Sequence, residues 1–133
     1  MLARHGTAVR KVGTFDRGCN RMNPQEKHEF ALVLSTFPDE ETAKKIAREL
    51  VESALVACAN IVSSVTSIYF WKDKVEENAE VLGIFKLTTT RFEEFQTRLR
   101  ALHPYDVPEI IRLKIAEGSP EYLRWIAESC ARD

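Results

Sequence analysis

Two extended segments placed back to back limit what this chain can become more than any other feature. Residues 58–71 read CANIVSSVTSIYFW, and after a break at Lys72 and Asp73 the stretch KVEENAEVLGIFKLT resumes an extended pattern. β-branched and aromatic residues favour a pleated strand, and the short polar break reads as a hairpin turn. At about 3.3 Å per residue the first segment alone reaches roughly 45 Å, more than the width of a domain of this size. The hairpin should therefore protrude. Ile68, Tyr69, Phe70 and Trp71 follow one another near its far end, so both faces of the ribbon carry apolar or aromatic groups. A two-stranded ribbon alone in water is marginal, and something has to cover it. The simplest cover is the same ribbon on neighbouring copies of the chain, which leaves no free sheet edge.

Around the hairpin the chain alternates strand and helix patterns. FALVLSTF, from Phe30 to Phe37, is a continuous apolar run suited to a strand covered on both faces, and Pro38 closes it. Ala43, Ile46, Ala47, Leu50, Val51, Ala54 and Leu55 then share one helical face, with Asp39, Glu40 and Glu41 in the first turn where the helix dipole favours negative charge. After the hairpin, Thr90 and Glu93 make a T-x-x-E capping box ahead of Phe92, Phe95, Leu99 and Leu102. EIIRLKIAEG supplies a fourth strand, and Ser119 with Pro120 opens a last helix through Tyr122, Trp125, Ile126 and Cys130. The resulting order, βαββαβ plus a helix, is that of an α+β, ferredoxin-like sandwich with a C-terminal helix and a long protruding hairpin.

With 133 residues there is room for one core and not for two ordinary domains. The domain is placed at residues 30–133. Residues 1–29 show no sustained period and are read as a loosely ordered extension, with Met22 a candidate natural start. That extension is basic, carrying Arg4, Arg10, Lys11, Arg17 and Arg21 against Asp16 over its first 21 residues. The whole chain, with 19 basic and 20 acidic residues, has no field that would gather nucleic acid. No apolar run approaches the roughly 18 residues of a membrane span, and a cytoplasmic address is expected. Cys19, Cys58 and Cys130 are far apart and odd in number, which points away from a disulfide framework and from a closed zinc site.

The densest chemistry lies in ALHPYDVPEI, residues 101–110. A histidine in the last helical turn, a proline that stops the helix and a second that stiffens the entry to a strand account for much of it. The same two bends would leave His103, Tyr105, Asp106 and Glu109 close together, with an imidazole and a carboxylate able to take a divalent metal or a small polar ligand. A metal needs three or more ligands, and His103 is the one nitrogen donor of this segment. Cys58 reads as a small buried hydrophobe rather than a ligand. No strained nucleophile turn of the G-x-S-x-G kind is present, so no enzyme is expected. Thr88, Thr89 and Thr90 could hold an anion, but capping explains Thr90 without one, and Trp71 with Lys72 at the hairpin tip is read as subunit packing.

Four stretches together resemble the CutA family of divalent-cation tolerance proteins: STFPDEETAKKIARELVESALVACANI, SIYFWKDKVEENAEV, FKLTTTRF and HPYDVPEII, in order across residues 30–128. The resemblance implies a homotrimer of ferredoxin-like subunits with interlocking hairpins, similar in plan to the PII signalling proteins. It implies a link to copper and other divalent cations, with no resident cofactor, and a metal site that includes His103 and Glu109. The family's cysteine in an LCTAPD-like stretch falls here on Ser35 of LSTFPD, and a hydroxyl is a poor ligand for a soft metal. Two other classes stay open on the same residues. One is a PII-like module binding a metabolite or nucleotide between subunits; the other is a trimeric scaffold tethering a partner through the basic extension.

Overall fold

The first apolar run becomes a central strand. In the computed structural model, which describes residues 28–132, β1 (Phe30–Phe37) lies between β3 (Lys74–Thr88) and β4 (Ile111–Ile115). β2 (Cys58–Trp71) flanks β3, and every neighbouring pair is antiparallel. Three helices complete the order: α1 (Glu40–Glu52), α2 (Phe92–Leu102) and α3 (Pro120–Ser129). The expected βαββαβ arrangement with an added helix and a long hairpin is what forms. The basic segment read as an extension falls, through residue 27, outside the described residues.

Strand periodicity sorts the sheet into two faces. Ala31, Val33, Ser35 and Phe37 of β1, with Val81, Gly83, Phe85 and Leu87 of β3, are all buried under α1 and α2. Phe85 meets Phe95 of α2 at 5.4 Å between ring centroids. Gly83 leaves space for this packing, since a Cβ there would lie 2.9 Å from Phe37 Cε2 and 3.0 Å from Phe85 Cε2. The opposite face holds Leu32, Leu34, Leu82 and Ile84, half-buried, with Ile111 and Leu113 alongside. α3 covers one end of this face, where Lys86 Nζ donates to the Tyr122 hydroxyl at 3.3 Å.

Helix ends depart from the sequence reading in two places. α1 starts as expected, with the Asp39 carboxylate accepting from the Thr42 N–H at 2.7 Å, a bond that holds the Asp39 carboxyl below its usual range. It ends at Glu52 rather than running on through Ala54 and Leu55. Leu55 N–H donates to the Leu50 carbonyl and Ala54 N–H to that of Val51, with Ala54 at φ 62°. These two bonds make a Schellman closure, which packs Leu55 back on Leu50 and so imitates a further helical turn in the apolar pattern.

The Thr90–Glu93 capping box does not form. α2 is entered through a short 3-10 turn, Thr89–Arg91, and the residue before the helix, Arg91, is already in the right-handed helical region. A capping side chain works from an extended residue, and the extended residue here is Thr88, ahead of the turn. Arg91 instead reaches across to the end of α3, donating from Nε to the Cys130 carbonyl at 2.8 Å.

β4 is shorter than the run EIIRLKIAEG, pairing with β1 only from Leu34–Ile111 to Phe30–Ile115. The hairpin strands pair with each other far past the end of β1, from Val65–Glu80 out to Trp71–Lys74. Among the described residues, the outer half of the hairpin thus has no further strand paired with it.

Ser35 sits wholly inside the helix-covered core, and its hydroxyl has no hydrogen-bond partner among the described residues. A buried donor left unpaired costs about 1–3 kcal/mol. Ser35→Ala is therefore expected to stabilise the fold by about 1 kcal/mol, read as a higher urea midpoint at fixed protein concentration; a lower midpoint would mean that the hydroxyl is satisfied.

Candidate functional site

The ALHPYDVPEI segment crosses the end of β1 and ties three elements together. α2 ends at Leu102, and His103 turns out of the helix into extended backbone while its N–H still reaches the Leu99 carbonyl. Its side chain is buried. Nε2 lies 2.8 Å from the carbonyl oxygen of Thr36, and Nδ1 accepts from the Tyr105 N–H at 3.2 Å. An acceptor role for Nδ1 puts the imidazole proton on Nε2, where it is donated to Thr36. Thr36 lies beyond Leu34, the last β1 residue paired with β4, so the imidazole continues the sheet edge where the strand has not yet begun. The ring stacks on Phe37 at 4.8 Å and 19°.

Tyr105 extends the chain of contacts to the hairpin. Its ring packs on His103 at 4.8 Å, and its hydroxyl donates to Glu80 Oε2 at 2.6 Å. The other Glu80 oxygen accepts from Ser67 at 2.7 Å. Burial first, and then the Glu80 carboxylate, push the Tyr105 phenol far above its ordinary value, so it stays a donor across the physiological range. Nearby, the hairpin carries a bulge between Val62 and Val65, Ser64 adopts φ 64°, and Ser63 donates to Glu40 of α1 at 3.0 Å.

Of the residues singled out in this segment, His103 and Tyr105 meet directly, Glu109 is half-buried, and Asp106 is exposed. Among the described residues no group of three or more His, Cys, Asp or Glu side chains is placed to hold a metal ion. To ligate through either nitrogen, His103 would have to give up one of its two backbone bonds. Cys58 is half-buried at the start of β2, paired across the strand with Lys86, and Ser35 faces the core. Trp71 and Lys72 stand exposed at the hairpin tip, with Lys72 Nζ 5.9 Å from the Trp71 ring centre. Glu80 and Ser67 were not among the candidates. Both lie in polar stretches of the hairpin, and only the fold brings them to Tyr105.

Residues 31–129 match the family model described as CutA1 divalent ion tolerance protein. The chain belongs to the CutA family. It is 52% identical over 98 residues to the Divalent-cation tolerance protein CutA of Thermus thermophilus, covering 74% of this chain and 95% of that one. The solved Thermus structure superposes with a TM-score of 0.74 over 75% of this chain and 97% of its own. A CutA homolog of Xenopus laevis is 44% identical over 70% of this chain, but only 62% of its own length is spanned. The solved Archaeoglobus fulgidus relative, described as a periplasmic divalent cation tolerance protein, is 34% identical with a TM-score of 0.74, over 76% of this chain and 98% of that one.

His103 gives this CutA chain a defined acid response. Burial lowers its pKa from the usual 6.5, outweighing the Thr36 carbonyl and the Glu80 charge, which both raise it. Between the lowered folded value and 6.5 the unfolded chain binds a proton that the folded chain does not, so stability rises with pH in that window. The contribution is complete above about 6.5 and is lost as pH falls toward the folded value. His103→Gln, which cannot ionise, should show a flatter stability-against-pH curve below pH 6.5 in urea titrations; an unchanged slope would remove His103 as its source.

Proposed function

We propose that this chain works as a homotrimeric divalent-cation tolerance protein whose subunits are held together by their hairpins. The observation that carries this is unburied apolar surface. Phe70 and Ile68 are 69% and 65% exposed, Trp71 and Val75 are exposed beside them, and Ile111 and Leu113 on the open sheet face are 50% and 45% exposed. A single subunit in water rarely leaves so many large apolar side chains open. Among the described residues, the outer strands β2 and β4 have no strand on their outer sides, and further copies can pair with them in a ring that closes. The Thermus relative's name supports the cation-tolerance part of the reading.

Metal contact in this reading is weak and runs through His103 and Glu109, with Cu²⁺ or another divalent cation. Both His103 nitrogens already serve backbone groups, and the family cysteine position holds a core-facing hydroxyl at Ser35. No catalytic step is assigned. The cytoplasmic address stays part of the proposal, and the Archaeoglobus relative makes the periplasm its direct rival. No described helix is long and apolar enough to cross a membrane.

Sedimentation at micromolar concentration should give one species of three 15.2 kDa subunits. A folded monomer would overturn the proposal. Calorimetric titration with Cu²⁺ and Zn²⁺ should show weak binding that fades below about pH 6, as histidine protonates. His103→Ala and Glu109→Ala should each abolish it; isotherms matching the wild type would remove those side chains from the site.

A further inference from the structure

We infer that Tyr105 and Glu80 form a latch that sets the angle at which the hairpin leaves the sheet, and thereby controls assembly of the subunits. The inference rests on the homotrimer reading and names the residues that govern it. Past Phe37, which pairs with Val81, the hairpin has no β1 beside it, and from Val65–Glu80 outward, among the described residues, its two strands pair only with each other. A bulge lies at this point of departure, between Val62 and Val65. Bulges bend and twist a strand, so the ladder alone leaves the direction of the arm soft.

Leverage makes that softness costly. From Val65 to Trp71 the arm is about 20 Å long at 3.4 Å per residue, and a tilt of about 10° would carry its tip about 3.5 Å sideways, most of the roughly 4.8 Å that separates neighbouring strands. A strand displaced sideways by that much loses its hydrogen-bonded contact with a neighbouring copy. Something must therefore hold the base.

Glu80 lies at that base, in the first pair beyond the bulge, and binds both sides of the departure. One oxygen holds Ser67 of the facing strand and the other holds the Tyr105 hydroxyl. Tyr105 comes from a segment that can resist the pull. Pro104 restricts the backbone on one side, and the preceding imidazole is pinned to Thr36, to the Tyr105 N–H and to the Phe37 ring. The bond is charge-assisted and partly shielded from solvent, which makes it stronger than a neutral pair in water. By contrast the Ser63–Glu40 bond on the α1 side is exposed. The latch therefore works from the Tyr105 side, and its effect is felt at the tip.

Tyr105→Phe keeps the ring and removes the bond, Glu80→Ala removes the acceptor, and Glu80→Gln keeps an oxygen that accepts from Tyr105. Sedimentation on dilution gives the dissociation constant, and hydrogen exchange reports the amides of residues 65–80. Tyr105→Phe and Glu80→Ala should each raise the dissociation constant at least tenfold and speed exchange at the hairpin base, with α1 and α2 unchanged. Glu80→Gln, which keeps an acceptor but loses the charge, should fall between wild type and Glu80→Ala, and the double variant should be no worse than Glu80→Ala. Wild-type dissociation in Tyr105→Phe, effects that add in the double variant, or exchange that rises evenly through the subunit would each overturn the latch. A monomeric wild type would sink the trimer reading alone; the latch would then be judged by exchange, and equal rates at residues 65–80 in Tyr105→Phe and wild type would overturn it.

Discussion

The bond from His103 Nε2 to the Thr36 carbonyl carries the organisation of one whole end of this subunit. β1 outruns β4 there, and the half-buried Thr36 carbonyl, with no β4 residue beside it, would otherwise lack a partner. The imidazole supplies the donor. Because its other nitrogen takes the Tyr105 N–H, the following residues are drawn across the sheet end rather than out into solvent. The stacking of His103 on Phe37, and of Phe37 over Gly83, then binds this loop to the core itself.

Much of this was legible in the residues before the structure, and the limits are instructive. The hairpin was visible because two long β-rich segments are separated by only Lys72 and Asp73, and both turn residues indeed take positive φ. Repeated apolar spacing marked α1, yet the same spacing concealed its end. A Schellman closure returns Leu55 to Leu50, and an apolar residue that folds back looks like one that continues. The capping box misled for a related reason: T-x-x-E fits the motif, while the 3-10 turn that displaces it depends on how β3 arrives. Among candidate site residues, His103 and Tyr105 were recognised as a cluster, but their partners were not. Thr36 contributes a carbonyl, which no side-chain pattern reveals, and Glu80 lies 25 residues away in sequence.

Ser35 shows the opposite case, a position for which the resemblance implies a cysteine and at which the structure explains the serine only in part. A cysteine in this core slot would bury as a small hydrophobe with a weak donor. Serine places a strong donor in the same space, and the surrounding residues, fixed as Val33, Phe37 and Gly83, offer it nothing. What the chain gains from the hydroxyl, nothing in the structure explains.

The distribution of charge along the hairpin also follows from its two tasks. Near the base, Glu80, Ser67 and Ser63 hold fixed partners within the subunit, so polarity there is tied down by hydrogen bonds. Toward the tip, polar and apolar groups share most rungs: Ile68 faces Glu77, Tyr69 faces Glu76 and Trp71 faces Lys74, while Phe70 faces Val75. A wholly apolar arm would pair with any exposed strand it met, whereas carboxylates directly across from Ile68 and Tyr69 restrict it to a neighbour that leaves them wet. In the proposed trimer the arm is thus sticky enough to need a partner and charged enough to choose one. That selectivity is useful only if the arm arrives at a defined angle, which brings the demand back to the loop anchored on Thr36.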